Sequence, residues 1–158
     1  MSVLITSGLS PQAWRVNRLL ENEDIVFADE SELPYVPGVR SALIPPHNSP
    51  SFIHEMLRTC LNHGVDRIYS LKWAELRELV KARELYSEYN IRLMVPSDTW
   101  LSAQHEHAGI NAANLFVIED GQLLAGVAPP EEKWPHGETG IFSWATNAGK
   151  IQYTLYMI

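Results

Sequence analysis

Val3-Leu4-Ile5-Thr6-Ser7-Gly8-Leu9-Ser10-Pro11 is the stretch on which the fold turns. Its first four residues are aliphatic or β-branched and suit a short buried strand, and Ser7-Gly8 offers a turn. Ser10-Pro11 then supplies an N-cap followed by a residue whose missing N–H does no harm at the first helical position. The helix is expected to run to about residue 22, with Ala13, Val16, Leu19 and Leu20 on its inner face and Arg15, Asn17 and Arg18 in water. A strand, a turn and a returning helix make the first part of a crossover unit.

The same alternation continues outward. Residues 25 to 28 read as a strand ending at Asp29, and the polar, proline-containing stretch from 30 to 40 as a loop. Ala42-Leu43-Ile44 is a third strand, stopped by Pro45-Pro46. Ser49-Pro50 repeats the cap signature, and the helix after it is expected to bury Ile53, Met56, Leu57, Cys60 and Leu61. Gly64 is placed to close that helix at positive φ, where no Cβ obstructs. Residues 67 to 71 form a fourth strand. Residues 73 to 89 form one long helix with Leu76, Leu79, Val80, Tyr86 and Tyr89 inward, and residues 91 to 95 a fifth strand. Strands separated by helices need crossovers, so the expected fold is α/β: a Rossmann-like five-stranded, mainly parallel sheet flanked by helices.

The pattern changes after residue 97. Residues 98 to 109 look helical, and 129 to 140 look like a loop. Residues 115 to 119 and 123 to 127 flank Asp120-Gly121, a pair suited to a tight primed hairpin turn. A second hairpin joins 141–146 to 151–157 through Asn147-Ala148-Gly149. The expected organisation is an α/β body over 1–97 and, over 98–158, a connecting segment with a C-terminal antiparallel β extension packed on the same domain. Alternation through Ile151, Tyr153, Leu155 and Met157 makes an apolar stripe that either packs on the body or pairs with another chain, which admits a homodimer.

A chain of 158 residues, 46% hydrophobic and 20% charged, has the length and composition of one globular core. Nineteen acidic against twelve basic residues give a charge of −7, which repels a polyanion, so nucleic acid is not expected as a partner. Cys60 is the one cysteine and falls on the apolar side of a helix, where it reads as a small buried hydrophobe. No apolar run approaches the roughly 20 residues of a membrane span. Residues 1–6 lack the pattern of a signal peptide, so a cytoplasmic location without membrane partners is the expectation.

Val-Leu-Ile-Thr-Ser-Gly at 3–8, Phe-Ala-Asp at 27–29, Ile-Pro-Pro at 44–46 and Met-Val-Pro-Ser at 94–97 together resemble the N-terminal, Rossmann-like pre-ATP-grasp domain of carbamoyl-phosphate-synthase-like ATP-grasp proteins. His63-Gly64-Val65-Asp66 before a strand and the Glu-Leu pairs near 75–79 add to the likeness. The resemblance covers about the first 97 residues. In that family a second module supplies a glycine-rich lid, phosphate-holding lysines and magnesium-binding carboxylates. Here only Lys133 and Lys150 follow residue 97 as lysines, and no lid is legible. The likeness therefore implies a pre-ATP-grasp domain without the ATP-grasp catalytic module, with a separate ATP-grasp protein as a possible partner.

Ligands of such sheets sit at the carboxyl ends of the strands. Thr6, Ser7, Gly8, Asp29, His47, Lys72 and Ser97 all fall at or just beyond expected strand ends and are the candidate ligand-binding residues. The first loop could present amides to an anion, and Asp29 could accept from a ribose hydroxyl or serve simply as a turn residue. Gly8-Leu9-Ser10-Pro11-Gln12-Ala13 does not match G-x-G-x-x-G, which argues against NAD(P). His47 is either a base or an ordinary loop residue, and no G-x-S-x-G elbow is present. In His105-Glu106-His107 the imidazoles would share a face on a strand but stand about 200° apart on a helix, so a solvent-facing polar segment is expected and no metal. No cofactor is expected. The function expected is a noncatalytic module that binds a small polar ligand or a protein. The alternatives are a substrate-side component of a split ATP-grasp ligase and an NAD(P)-dependent oxidoreductase with an atypical first loop.

Overall fold

In the computed structural model, which describes residues 1–21, 23–103, 114–130 and 137–158, Ser2–Ile5 forms β1 and Pro11–Leu19 forms α1. The expected cap is present: Ser10 Oγ accepts the Ala13 N–H at 3.2 Å, and Pro11 opens the helix. Ala13 and Val16 are buried, and Trp14 stacks on Phe27 with ring centroids 4.4 Å apart. Asp24–Asp29 is β2 and Arg40–Leu43 is β3, joined by a loop with no helix in it. Phe52–His63 is α2, closed by Gly64 at φ 66° as its missing Cβ allows. Arg67–Tyr69 is β4, Trp73–Lys81 is α3, Arg83–Glu88 is α4 and Arg92–Leu93 is β5.

The five strands form a parallel sheet in the order β3-β2-β1-β4-β5. Val3, Leu4 and Ile5 are buried in succession, as a central strand covered on both faces requires. At the amino end of the sheet Arg40 bonds to Asp24, to Ser2 Oγ at 3.3 Å and to the His63 carbonyl at 2.6 Å. Its guanidinium so joins three elements and lies at the negative end of α2. Cys60, on the buried face of the same helix, is fully buried, and burial pushes its thiol up to about 12, which leaves it protonated. The Tyr86 hydroxyl donates to the Ile53 carbonyl at 2.8 Å, tying α4 to α2.

The chain divides into two units, Met1–Leu93 and Met94–Ile158. In the second, Asp98–Ala103 forms α5, and Leu115–Glu119, Gln122–Gly126, Gly140–Asn147 and Lys150–Leu155 form β6 to β9. They make a separate antiparallel sheet, ordered β7-β6-β8-β9. Both expected tight turns are present, with positive φ at Asp120 and Gly121 and at Ala148 and Gly149. Leu115 to Ile118 are buried in succession at the centre of this sheet, whereas Leu123, Leu124 and Val127 on its β7 edge are exposed.

Several local expectations are corrected. The helix expected over 73–89 breaks at Ala82, which has φ −105° and ψ 17° and donates to Leu79 O in a tightened turn. Tyr89 consequently lies beyond α4 and is half exposed. The second helix begins at Phe52, with Ser49–Ser51 forming a preceding turn in which the Phe52 N–H bonds to Ser49 O. Buried Phe52 rotates the apolar stripe. Leu61 stands nine residues further on, which at about 100° per residue is the opposite side, and it is exposed. The fourth and fifth strands are shorter than 67–71 and 91–95.

Candidate functional site

The strand order reverses at β1. From there the chain runs outward through β2 and β3, and then returns to the other flank of β1 for β4 and β5. The carboxyl ends of β1 and β4 therefore border the switch-point crevice, where ligands of open parallel sheets bind. Thr6 follows β1 and is fully buried; its amide bonds to Tyr69 O at 3.0 Å, and its Oγ1 accepts the Leu71 N–H at 2.9 Å. These two bonds hold the segment after β1 against the segment after β4.

Glu75, in the first turn of α3, points its side chain into this junction. It is 1% exposed, and its Oε2 lies 3.3 Å from Ser70 Oγ. Burial raises the carboxyl above the ordinary carboxylate range; hydrogen bonding from Thr6, the nearby Lys72 ammonium and the Ser70 hydrogen bond oppose the rise, and Glu30 adds to it. A carboxyl poised in this way can exchange a proton with its surroundings or hold one for a ligand. Sequence reasoning missed Glu75 because a charged residue in a helical first turn reads as solvent-facing. The signal available was its position as the third residue of a helix at the switch point.

Ser7 carries the second unusual feature. Its φ is 58°, unusual for a residue with a side chain, and its hydroxyl is buried with no hydrogen-bond partner. A strained backbone that buries an unpaired hydroxyl at a switch point is a recognised mark of a functional position. Trp73, the first residue of α3, likewise has an indole N–H that is buried without a partner. Lys72 precedes it as the N-cap and provides no side-chain cap.

The other expected residues are placed differently. Gly8 belongs to the contact between the first loop and β2: its N–H bonds to Ala28 O at 2.9 Å, and an added Cβ would meet Leu33 Cδ2 at 2.8 Å and Phe27 Cβ at 2.9 Å. Asp29 accepts the Leu9 N–H at 3.1 Å and the Ser31 N–H at 3.4 Å, which makes it a clamp on the first loop. With the Ser10 N–H on Ser7 O and the Ala13 N–H on Ser10 Oγ, the loop and the start of α1 satisfy most of their own donors. His47 lies in the turn after β3, two strands away from β1. Ser97 is in the second unit, where its N–H and hydroxyl both donate to the Glu138 carboxylate at 2.7 Å. The structure thus brings together Thr6 and Lys72 with Ser70 and Glu75, leaves Ser7 next to Thr6 and Trp73 next to Lys72 in the chain, and groups Gly8 with Asp29 on the first loop.

Among the described residues, no group of three or more His, Cys, Asp or Glu is arranged to hold a metal ion. His105 and His107 lie outside the described residues. No described helix is long and apolar enough to cross a membrane.

The first unit is a Rossmann-like α/β sheet, and the second an antiparallel sheet of its own. Among solved structures, the chain is similar in part to a GalE-like L-threonine dehydrogenase from Cupriavidus necator in its holo form. The identity is 11% and the TM-score 0.42, and the match covers 54% of this chain and 34% of that one. No protein-family model matches the chain, and no curated protein matches it.

Proposed function

We propose that this chain is a noncatalytic binding module, related to the pre-ATP-grasp domain, that holds a small polar ligand at the carboxyl ends of β1 and β4. The observation that carries this reading is the buried Ser7 hydroxyl, without a partner on a strained backbone, in the residue that follows Thr6, whose side chain bonds the buried Glu75 carboxyl. An unpaired buried hydroxyl costs about 1–3 kcal/mol, and a ligand that accepts from it or donates to it recovers that cost on binding. The relation to pre-ATP-grasp domains is supported by the motifs at 3–8, 27–29, 44–46 and 94–97, and it makes a separately encoded ATP-grasp protein the natural partner.

A thermal-shift panel of small carboxylates, amino acids, magnesium ATP and NAD(P)H tests the reading. A ligand at about 100 times its Kd adds about 2.7 kcal/mol of stability. The expected result is a response to a small polar molecule that disappears in Ser7→Gly. A response to NAD(P)H that Ser7→Gly leaves intact would replace this reading with the oxidoreductase alternative.

A further inference from the structure

We propose that the connection between β2 and β3 presents Pro34-Tyr35-Val36-Pro37 to a partner protein whose groove is lined by aromatic side chains and rimmed by basic ones. The segment takes no part in the ligand reading above. Its conformation follows from its sequence. Pro34 and Pro37 fix their own φ, and each keeps the residue before it, Leu33 and Val36, out of the helical region. Of residues 33–37 only Tyr35 is free of this constraint, so the segment is expected to be extended or polyproline-like. In the structure residues 32–36 form neither helix nor strand, and no hydrogen bond joins residues 32–35 to another described residue. A backbone of this kind keeps its polar groups in water, where a partner can reach them.

The segment is held at both ends. At its start Asp29 accepts the Ser31 N–H at 3.4 Å, and the half-buried Leu33 lies against the first loop, its Cδ2 2.8 Å from the point that a Gly8 Cβ would occupy. At its end the Val39 N–H bonds to Val36 O at 3.1 Å across Pro37-Gly38, and Gly38 has a φ of 78°. Proline followed by a glycine at positive φ, closed by this bond, is the form of a type II turn. Between these fixed points Pro34, Tyr35, Val36 and Pro37 are all exposed.

Tyr35 is 89% exposed, more than any other large apolar side chain among the described residues, and Val36 beside it is exposed as well. At about three residues per turn Pro34 and Pro37 share one edge of a polyproline helix and Tyr35 stands on a second, while Leu33 takes the edge turned to the body. Aromatic grooves receive such proline edges, and a tyrosine adds a large anchor with few rotors to freeze. Because the backbone is already extended and fixed at both ends, little ordering entropy opposes docking. Glu30 and Glu32 precede the segment in a chain of charge −7, which favours a groove with a basic rim and repels a second copy of this chain.

The test is a ¹H–¹⁵N titration of the whole chain with two purified probes, an SH3 domain and a WW domain, each with lysines placed at the rim of its aromatic groove. Saturable shifts at the amides of Ser31, Glu32, Leu33, Tyr35, Val36 and Gly38 are expected with at least one of them, with an affinity that falls as salt rises. Pro34→Ala and Tyr35→Ala, both at exposed positions, should each weaken binding roughly tenfold or more and leave distant amides in place. Gly38→Ala meets no neighbour but strains the turn through its φ, and should weaken binding more modestly. Silence of these amides toward both domains would overturn the proposal. Binding that persists unchanged in Pro34→Ala and Tyr35→Ala, or shifts centred on another part of the chain, would overturn it as well.

Discussion

Ser70, just beyond β4, and Glu75, in the first turn of α3, meet with Oγ and Oε2 3.3 Å apart inside the protein. The contact fixes the turn between strand and helix, and Thr6 adds the end of β1 to the same carboxyl. A carboxyl in so buried a place is held partly by its hydrogen bonds and partly by keeping its proton.

That balance sets a pH dependence. The folded-state carboxyl titrates above its unfolded value, so the folded chain retains a proton that the unfolded chain has released. The stabilisation is complete below the unfolded carboxylate range and is lost as pH rises through the folded value. Urea unfolding from about pH 4 to about pH 8 should show this decline in the parent chain and less of it in Glu75→Gln. Glu75→Ala removes the hydrogen bonds as well and should lose roughly 1–3 kcal/mol.

Ser7→Gly should raise stability while it removes the candidate ligand contact. Glycine relieves the φ of 58° and takes away the unpaired hydroxyl, against a larger entropy loss on folding. We expect a net gain of about 1 kcal/mol in chemical unfolding. A loss instead would mean that Ser7 serves the fold.

Gly8→Ala should be destabilising, because the new methyl meets Phe27 Cβ at 2.9 Å and Leu33 Cδ2 at 2.8 Å. Overpacking of this kind costs about 1–3 kcal/mol. Gly64→Ala meets no neighbour and suffers only from its positive φ, so it should lose about 1 kcal/mol. Melting curves of the two variants give the comparison directly.

In the second unit, Glu138→Ala removes both acceptors from Ser97, whose hydroxyl also receives the Trp100 N–H. A loss of about 1 kcal/mol of local stability is expected. Hydrogen exchange at the Ser97 amide should quicken accordingly.

Much of the architecture is legible in local signals. Ser10-Pro11 marks the start of α1, Gly64 the end of α2, and Asp120-Gly121 the β6–β7 turn. Ala82 is not legible, because neither glycine nor proline stands there and alanine favours helix. The positions of Thr6, Ser7 and Lys72 beyond β1 and β4 are legible from strand ends alone. Glu75 is missed because its burial depends on Thr6 and Ser70, which come from distant parts of the chain and are united only by the pairing of β1 with β4. The strain at Ser7 is invisible for a similar reason: the loop is drawn to β2 by Gly8 and Asp29, and the backbone turns at Ser7 to reach them.

The most direct test of ligand binding at the β1–β4 junction is amide shift mapping of the parent chain against a library of small polar compounds. A binding module of the kind proposed should give at least one compound whose saturable shifts concentrate at residues 6–8 and 70–75. Saturable shifts centred elsewhere, such as the turn at His47 or the β7 edge, would contradict the account, as would a library that produces none.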